Sequence, residues 1–243
     1  MAVDTWMHFD PRGDLLDATR ECEAEIFLRW YGNTRAQLED EYGPYEDATR
    51  FICLTDSAGE VVAVMRLLAP GGVAGLKTLA DLQRSPWNVD GARSAAAAGL
   101  DLRSTWDVAT IGTRRSSAGS GVRYSLALYR GLLMATRANR ITAITAILDE
   151  RVRRLLESSG LAMWTLPGAR AAEYLGSPSS TPIYGDTAKL VDNQRRNAPE
   201  AYSLVTIGQG MDGFAIPPME AFRLDVNERL TTAEVPVTLA GIS

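Results

Sequence analysis

One stretch of this sequence, WDVATIGTRRSSAGSGVRYSLALYRGLL, constrains the fold more than any other. Trp106 to Gly112 has the pattern of a strand, a loop of Arg, Ser and Gly follows, and Val122 to Asn139 has the apolar spacing of a helix. The next segment, RITAITAIL, alternates Ile with small residues as a buried strand does. A strand, a helix and a second strand in this order predict an α/β layer arrangement.

The segments around this unit add helices and antiparallel strands. Asp14 to Glu41 has helical spacing that is predicted to break near Gly32. Phe51–Leu54 and Val61–Leu68, joined by a DSAG turn, predict an antiparallel hairpin. Further on, DERVRRLLESSGL predicts a helix closed by Gly160, whereas AMWTL and TPIYGDTAKLV predict strands.

Composition and charge limit the class of protein. The 243 residues are 46% hydrophobic, which is enough for a substantial core. The formal net charge of -5 argues against a general nucleic-acid binder, because the electrostatic footprint of such a protein is basic. The two cysteines form neither a disulfide framework nor a metal-ligand spacing, so we expect no metal.

The N-terminus, MAVDTWMHFDPRGD, carries acids where a signal peptide needs a basic region. No window of the sequence approaches the roughly 20 apolar residues that a membrane-spanning helix requires. We therefore expect a cytoplasmic protein without a membrane span.

The loop between the strand and the long helix has the features of an anion site. The first turn of a helix leaves backbone N–H groups unpaired, and the helix dipole adds positive charge there. Glycines allow a ligand close to the backbone, while serine and arginine side chains add donors and charge. These features predict a pyrophosphate site at Arg114, Arg115, Ser116, Ser117, Ala118, Gly119, Ser120 and Gly121.

A plain surface turn is the alternative interpretation of this loop, because small polar turns before helices are common. The loop lacks the Lys-Ser/Thr ending of a P-loop. It also lacks the GxGxxG spacing of a dinucleotide fold.

The order of elements resembles the GNAT superfamily of N-acyltransferases. That family has a bulged strand, an Arg/Gln-x-x-Gly-x-Gly/Ala loop that holds the pyrophosphate of coenzyme A, then a helix, a strand and a further helix. Here Arg115 precedes Gly119 by four residues, one more than in the family. Gly160 is followed by Leu161 instead of an aromatic residue, and Leu156 stands where many members have a tyrosine acid. The resemblance implies a central mixed β-sheet flanked by helices.

The N-terminal half is similar to one subgroup, the acyl-homoserine-lactone synthases and long-chain N-acyl amino acid synthases. The similarity lies in AEIFLRW, LEDEYGPYED, DSAGEVVAVMRLLAP and TWDVATIGT. In those families, an aromatic and acidic N-terminal region covers the acceptor site. The resemblance therefore places the acceptor against the N-terminal helices.

Individual positions of that subgroup pattern are matched or replaced. Arg66-Leu67 matches the Arg-Leu end of the hairpin, and Trp106-Asp107 matches the Trp-Glu start of the core strand. Ala109-Thr110 replaces a Ser-Arg pair. Glu23 stands where an arginine is expected, four residues before Phe27.

The resemblance implies an enzyme that moves an acyl group from an acyl thioester to the amine of a small, amino-acid-like acceptor. The acyl co-substrate is acyl-CoA or the acyl-phosphopantetheine of an acyl carrier protein, which would be a partner. The strand backbone would pair with the pantetheine amides at Ile111, Gly112 and Thr113. Two alternatives stay open: a non-catalytic module that binds an acyl thioester or carrier protein, and a plain acetyltransferase of small amines.

The organisation expected on this basis is a GNAT-like acyltransferase domain at residues 1–191. A C-terminal extension at residues 192–243 then wraps the domain or is partly disordered.

Aminolysis of a thioester requires a deprotonated amine and a stabilised oxyanion. Asp107, beside Trp106 on the core strand, is the expected catalytic carboxylate, with a strand-end cap as the alternative role. Glu39, Asp40 and Glu46 are weaker candidates and have the pattern of solvated loop charges.

Four further residues are expected at the substrate site. The planar fork of Arg66 matches a carboxylate of the acceptor, although a strand-edge arginine is the plainer alternative. Phe27, Trp30 and Trp106 are expected to line an acyl or acceptor pocket, or else to belong to the core.

Arginines on two predicted helices form a basic set in an acidic protein. They either face an acyl carrier protein or form solvated helix faces. The set consists of Arg123, Arg130, Arg137, Arg140, Arg151, Arg153 and Arg154.

Overall fold

The computed structural model describes residues 3–114 and 120–224. Its strands are β1 (Thr5–Phe9), β2 (Thr49–Asp56), β3 (Val61–Leu68), β4 (Thr105–Thr113), β5 (Ala143–Asp149), β6 (Trp164–Thr165), β7 (Ala172–Tyr174), β8 (Ser177–Asp186) and β9 (Phe214–Ala215). Its α-helices are α1 (Asp14–Tyr31), α2 (Arg35–Tyr42), α3 (Lys77–Leu82), α4 (Gly91–Ala97), α5 (Ser120–Ala138), α6 (Glu150–Ser158), α7 (Thr187–Asn197) and α8 (Pro199–Ala201).

One mixed sheet runs through the described part of the chain. Its strands follow the order β6-β8-β5-β4-β3-β2-β1-β9, and β7 pairs with β8 beside this path. Neighbours are antiparallel except for the pairs β1–β9 and β4–β5, which are parallel. The predicted α/β class, with a central mixed sheet flanked by helices, is confirmed.

A bulge interrupts the pairing of β3 with β4. Arg66 is opposite Thr110 and Leu67 is opposite Val108, so Ala109 is the extra residue on β4. A bulge bends its strand and re-aims the side chains around it. Here it lies in the middle of the strand, next to the point where β4 leaves β5.

The parallel strands β4 and β5 stay together over a short distance only. Thr105–Asp107 pairs with Ala143–Thr145, and beyond these residues the two strands diverge. The crossover between them is α5, which packs against one face of the sheet. The sheet is therefore split at its centre, between β4 and β5.

The main core lies between the sheet and α5. It includes Trp106, Leu128 and Ile144, all buried. On the opposite face, α1 packs its residues Cys22 and Ile26 against β2 and β3. The close approach of α1 to β4 depends on a glycine, because a Cβ at position 112 would lie 2.6 Å from Ile26 Cγ2.

Local signals set most of the helix boundaries. Gly32 ends α1 in the left-handed conformation, so the predicted break is confirmed. Thr34 then starts α2 with a capping box to Gln37. The predicted strand TPIYGDTAKLV is wrong in its second half, because Asp186 ends β8 and caps α7 through the Lys189 amide.

The two termini of the described chain belong to the same sheet. Thr5–Phe9, to which the sequence pattern assigns no element, makes β1, which pairs with β2 and with β9. In the C-terminal part, Val205, Phe214 and Phe222 are buried in the main core. The expected boundary at 191/192 lies inside α7, and residues 225–243 of the expected extension lie outside the described residues.

No helix within residues 3–114 and 120–224 is long and apolar enough to cross a membrane. The same residues hold no group of three or more His, Cys, Asp and Glu side chains arranged for a metal ion.

Candidate active site

A cleft opens where β4 and β5 diverge. Its floor is the β4 bulge, and β5 and the start of α6 form one side. Aromatic side chains from α1, α2 and β7 form the other side. The lining residues are Phe27, Tyr31, Tyr42, Val108, Ala109, Thr110, Ile111, Ile147, Leu148, Asp149, Val152, Tyr174, Leu175, Ser177 and Ser180.

The aromatic wall is packed from three separate elements. The rings of Phe27 and Tyr31, both on α1, have centroids 5.4 Å apart. Tyr42 is buried at the end of α2, and its hydroxyl donates to the Ala109 carbonyl at 3.4 Å. Tyr174 completes the wall from β7. The wall therefore stands directly over the bulge.

An apolar cavity lies behind the split, on the α5 face of the sheet. Helices α5, α6 and α7 surround it. It is lined by Met65, Val108, Ile111, Tyr129, Leu132, Leu133, Thr136, Ile144, Ala146, Leu148, Leu156, Leu161, Met163, Thr187, Leu190, Val191, Gln194, Val205 and Thr206. Three of these residues, Val108, Ile111 and Leu148, also line the cleft. The cleft and the cavity therefore adjoin through the gap between β4 and β5.

Arg66 is held by a buried carboxylate next to the cleft. Its Nε donates to Glu23 Oε1 at 3.0 Å, and its Nη2 donates to Glu23 Oε2. The Thr110 hydroxyl donates to the same Glu23 carboxylate, and the guanidinium lies 4.5 Å from the Tyr42 ring centroid. Arg66, expected to hold an acceptor carboxylate, thus already has a bidentate partner within the protein.

A second polar cluster also lies close to the Tyr42 ring. The Lys77 ammonium, 5.3 Å from the Tyr42 centroid, is ion-paired with Glu41 and Asp81. It also donates to the Tyr174 hydroxyl at 2.8 Å. The Tyr42 ring thus lies near two cations, Arg66 paired with Glu23 and Lys77 paired with Glu41 and Asp81.

Asp107 is buried and engaged by a single residue. Its Oδ2 accepts from the Thr78 amide and its Oδ1 accepts from the Thr78 hydroxyl, each at 2.6 Å. Burial raises the pKa of Asp107 to about 6, against the opposing effect of the hydrogen bonds from Thr78. Asp107 is not among the residues that line the cleft. Its observed contact is that of a cap on the first turn of α3.

The predicted phosphate loop is only partly described. Residues 115–119 lie outside the described residues, and Ser120 begins α5. Arg114 pairs with Glu25 at 2.8 Å and donates to the Val61 carbonyl at 2.8 Å. Ile111 lines the cleft, whereas Gly112 is required by the packing of α1. A Cβ at Gly121 would lie 3.6 Å from the Thr113 hydroxyl, an ordinary contact.

The three aromatic residues expected at the substrate site lie in different places. Phe27 lines the cleft, as expected for an acceptor pocket. Trp30 is 54% exposed, and Trp106 is buried in the main core on the α5 side. Among the weaker carboxylates, Glu39 pairs with Arg35 and Glu46 pairs with Arg20. Asp40 is exposed.

Sequence reasoning missed three cleft tyrosines. Tyr31 and Tyr42 are the last residues of α1 and α2, so their helical spacing pointed only to packing. Tyr174 comes from the three-residue strand β7, which has no periodic signal. The segment LEDEYGPYED, whose resemblance places it over the acceptor site, contains Tyr42 and was the one usable signal.

The predicted basic set does not form one free face. Arg130 donates to the carbonyls of Val205 and Thr206 at 3.2 and 3.3 Å, tying α5 to the C-terminal segment. On α6, ion pairs within the helix or with its cap engage Arg151, Arg153 and Arg154. Arg123 lies 5.2 Å from the Phe214 ring centroid.

The bulged β4, its short pairing with β5 and the crossover helix between them define a class. The protein has the fold of the GNAT-type acyltransferases, and its likeness extends to the acyl-homoserine-lactone synthase subgroup.

Two solved structures carry this likeness. One is FeeM, an N-acyl amino acid synthase from uncultured soil microbes, with a TM-score of 0.57 and 12% identity; it covers 78% of this chain and 93% of its own. The other is BjaI, a CoA-dependent acyl-homoserine lactone synthase solved with SAM and isopentyl-CoA. The TM-score is 0.56 and the identity is 14%. The match covers 94% of this chain and 100% of the BjaI chain. Neither a protein-family model nor a curated protein sequence matches the chain.

Proposed function

We propose that this chain is a cytoplasmic N-acyltransferase that moves an acyl group from an acyl thioester to the amine of a small acceptor. The observation that carries the proposal is the split between β4 and β5. Val108, Ile111 and Leu148 line both the cleft and the apolar cavity behind it. A thioester in the split would therefore have its carbonyl at the bulge and its acyl chain in the cavity.

The donor arm has backbone partners in this arrangement. Residues 108–113 of β4 pair with β3 on one side, but β5 does not pair with them on the other. Backbone N–H and C=O groups need partners when they are covered. The two amides of a pantetheine arm fit that requirement, whether the arm belongs to CoA or to an acyl carrier protein. The loop from Arg114 to Gly121 remains the proposed site of the phosphates, at the N-terminus of α5.

The acyl chain has an apolar receptor. The cavity walls consist mainly of Leu, Ile, Val and Met side chains from the sheet and from α5, α6 and α7. Burial of each CH₂ group in such a pocket contributes about 0.8 kcal/mol. The proposed donor is therefore an acyl group longer than acetyl.

The reaction itself needs a free amine and a stabilised oxyanion. The acceptor ammonium loses a proton before its nitrogen attacks the thioester carbonyl. The C–N bond then forms and the C–S bond breaks. The nitrogen gives up a second proton to become the amide and the leaving thiolate takes up one proton, so that one proton is released to solvent overall. Because both Asp107 oxygens are engaged by Thr78, we assign Asp107 a positioning role, holding α3 against β4.

The experiment is a thiol-release assay with acetyl-CoA, hexanoyl-CoA and decanoyl-CoA in the presence of a primary amine. We expect amine-dependent release, faster with the longer donors, and a product of the mass of the N-acyl amine. Ile111→Trp fills the gap between cleft and cavity and should abolish use of the longer donors. Val73→Trp is the matched control, because Val73 is 89% exposed and lines neither the cleft nor the cavity.

Two outcomes would contradict the proposal. Absence of amine-dependent release with these donors and with an acylated carrier protein would exclude an acyltransferase. If the donors nevertheless bind, the chain is a non-catalytic module for acyl thioesters. Equal activity of the Ile111→Trp variant with all donors would show that the acyl chain lies elsewhere.

A further inference from the structure

The side chains around the cleft bear on the acceptor as well as on the donor. We propose that the acceptor is a primary amine with an apolar or aromatic body and no free carboxylate beside the amine. This inference rests on the proposed acyl transfer and names the substrate class of the same cleft.

The first argument concerns the cations that the structure describes around the cleft. Arg66 is paired with Glu23 through both prongs of its guanidinium, and Lys77 is paired with Glu41 and Asp81. Arg151, at the start of α6, is paired with Asp149 at 3.0 Å. An α-amino acid binds by pairing its carboxylate with a cation, and each of these three is already engaged.

An acceptor carboxylate that bound Arg66 would have to displace Glu23, which is unfavourable. Glu23 is 1% exposed, and it accepts from Thr110 as well as from Arg66. An acceptor carboxylate that displaced it would leave Glu23 buried without its cation, and an unpaired buried charge is strongly unfavourable. The ion pair therefore selects against carboxylates at this wall.

The second argument concerns what the wall does offer. Phe27 and Tyr31 lie side by side on α1, and Tyr42 stands over the bulge. Aromatic faces attract an ammonium group and pack against apolar side chains. The Ala109 carbonyl accepts the 3.4 Å contact from Tyr42, and since a carbonyl oxygen has two lone pairs it can accept a further hydrogen bond from the amine. The wall thus suits the ammonium and the hydrocarbon body of an amine.

The sequence explains why this wall differs from the subgroup that it resembles. Glu23 occupies a position where that subgroup has an arginine, and Thr110 replaces a second arginine. In this chain Glu23 neutralises Arg66, and the Thr110 hydroxyl donates to the same Glu23 carboxylate. Two potential carboxylate-binding cations are thereby absent, and the third is occupied.

The experiment compares acceptors in matched pairs: phenethylamine with phenylalanine, tyramine with tyrosine, and isoamylamine with leucine. Each pair differs only in the carboxylate. With decanoyl-CoA as donor, we expect kcat/KM for each amine to exceed that for its amino acid by roughly tenfold or more, because Arg66, Lys77 and Arg151 are each already paired with a carboxylate of the protein. Equal or better use of the amino acids would overturn the inference while leaving acyl transfer intact.

A binding measurement separates this inference from the proposed function. In a thermal-shift titration without donor, phenethylamine should raise Tm and phenylalanine should not. If no acceptor turns over but this difference holds, the acyltransferase proposal fails, whereas the selectivity of the cleft for amines without a carboxylate stands. If phenylalanine stabilises the protein as well as phenethylamine does, the acceptor class is wrong.

A variant tests the role of the ion pair directly. Glu23→Gln keeps the shape of the side chain and an oxygen for Thr110, but it removes the charge that neutralises Arg66. We expect the ratio of kcat/KM for each amine to kcat/KM for its amino acid to fall about fivefold, since the guanidinium becomes available to a carboxylate. Glu21→Gln, an exposed neighbour on α1 that pairs with Arg35, is the control and should leave the ratio unchanged. An unchanged ratio in a folded Glu23→Gln protein would contradict the inference.

Discussion

The two carboxylate oxygens of Asp107 each accept a hydrogen bond from Thr78, one from its amide and one from its hydroxyl. Thr78 lies in the first turn of α3, whose N-cap residue Leu76 provides no side-chain cap. A carboxylate on a strand therefore caps a helix that is remote from it in sequence. This cap fixes α3, and with it Lys77, against the sheet beside the cleft.

The first prediction concerns the titration of Asp107. Its pKa is about 6 in the folded chain, above the ordinary value of 3.8, because burial disfavours the charge. Between about pH 4 and about pH 6, the folded state retains a proton that the unfolded state has released. Stability should therefore fall as the pH rises through this window, by up to about 3 kcal/mol, and be level above it.

Urea unfolding of wild type and Asp107→Asn across this window measures the effect. Asn can accept from the Thr78 amide and donate to its hydroxyl, but it does not titrate. The variant should lack the fall in stability that wild type shows. Parallel stability curves for the two proteins would show that Asp107 does not retain its proton in the folded state.

The second prediction concerns the buried pair of Glu23 and Arg66. Arg66→Met leaves the Glu23 carboxylate buried without a cation, which should cost about 3–5 kcal/mol of unfolding free energy. Adding Glu23→Leu removes the isolated charge, so the double variant should be more stable than Arg66→Met by at least about 1 kcal/mol. Denaturant unfolding of wild type, Arg66→Met, Glu23→Leu and the double variant provides the cycle. Additive losses would mean that the two side chains act independently.

The third prediction concerns Leu156, at the position where many GNAT members have a tyrosine. Leu156 is buried and lines the apolar cavity, not the cleft. Leu156→Tyr should therefore leave acetyl-CoA turnover unimproved and lower kcat/KM for decanoyl-CoA roughly tenfold, because the added volume fills the acyl space. Leu155→Tyr, at a neighbouring position that is 43% exposed, is the control and should behave as wild type. Faster turnover of every donor would instead indicate that residue 156 reaches the leaving thiolate.

The fourth prediction concerns the turn that supports Tyr31. Gly176 has a φ of +80°, and a Cβ there would lie 2.1 Å from the Tyr31 carbonyl oxygen. Gly176→Ala should cost about 1–3 kcal/mol and raise KM for the acceptor, because Tyr31 has to move. Gly59→Ala carries a similar φ, +83°, with nothing near the added methyl group. This control should lose stability without a change in KM, and a matching rise in KM would disprove the role of the turn.

The predictable parts of the fold were those with local signals. The βαβ unit, the hairpin of β2 and β3 and the break at Gly32 all follow from periodicity or a glycine. Strand β1 was missed because five residues are too few for a clear periodic pattern, and the strand is defined by its pairing with β2 and β9. The pattern TPIYGDTAKLV predicts a strand that continues past Asp186, whereas Asp186 ends β8 and caps α7.

The candidate site was less predictable for a physical reason. Residue type indicated that Arg66 suits a carboxylate, and it does bind one, but that carboxylate is Glu23 on α1. Such pairings are set by the packing of α1 across the sheet, over a separation of 43 residues. The same packing brings Tyr31, Tyr42 and Tyr174 to one cleft from three elements.

Strands β4 and β5 separate after three paired residues, and this has a consequence for how far the sequence can change. It creates an unpaired strand edge in the interior of a sheet, where no second polypeptide strand can reach it. A thin amide-bearing arm can, and it would be recognised by main-chain atoms that every amino acid carries. Side chains around such an edge can change freely while the recognition persists. A chain of this design can thus have the fold of the two solved structures at 12% and 14% identity to them.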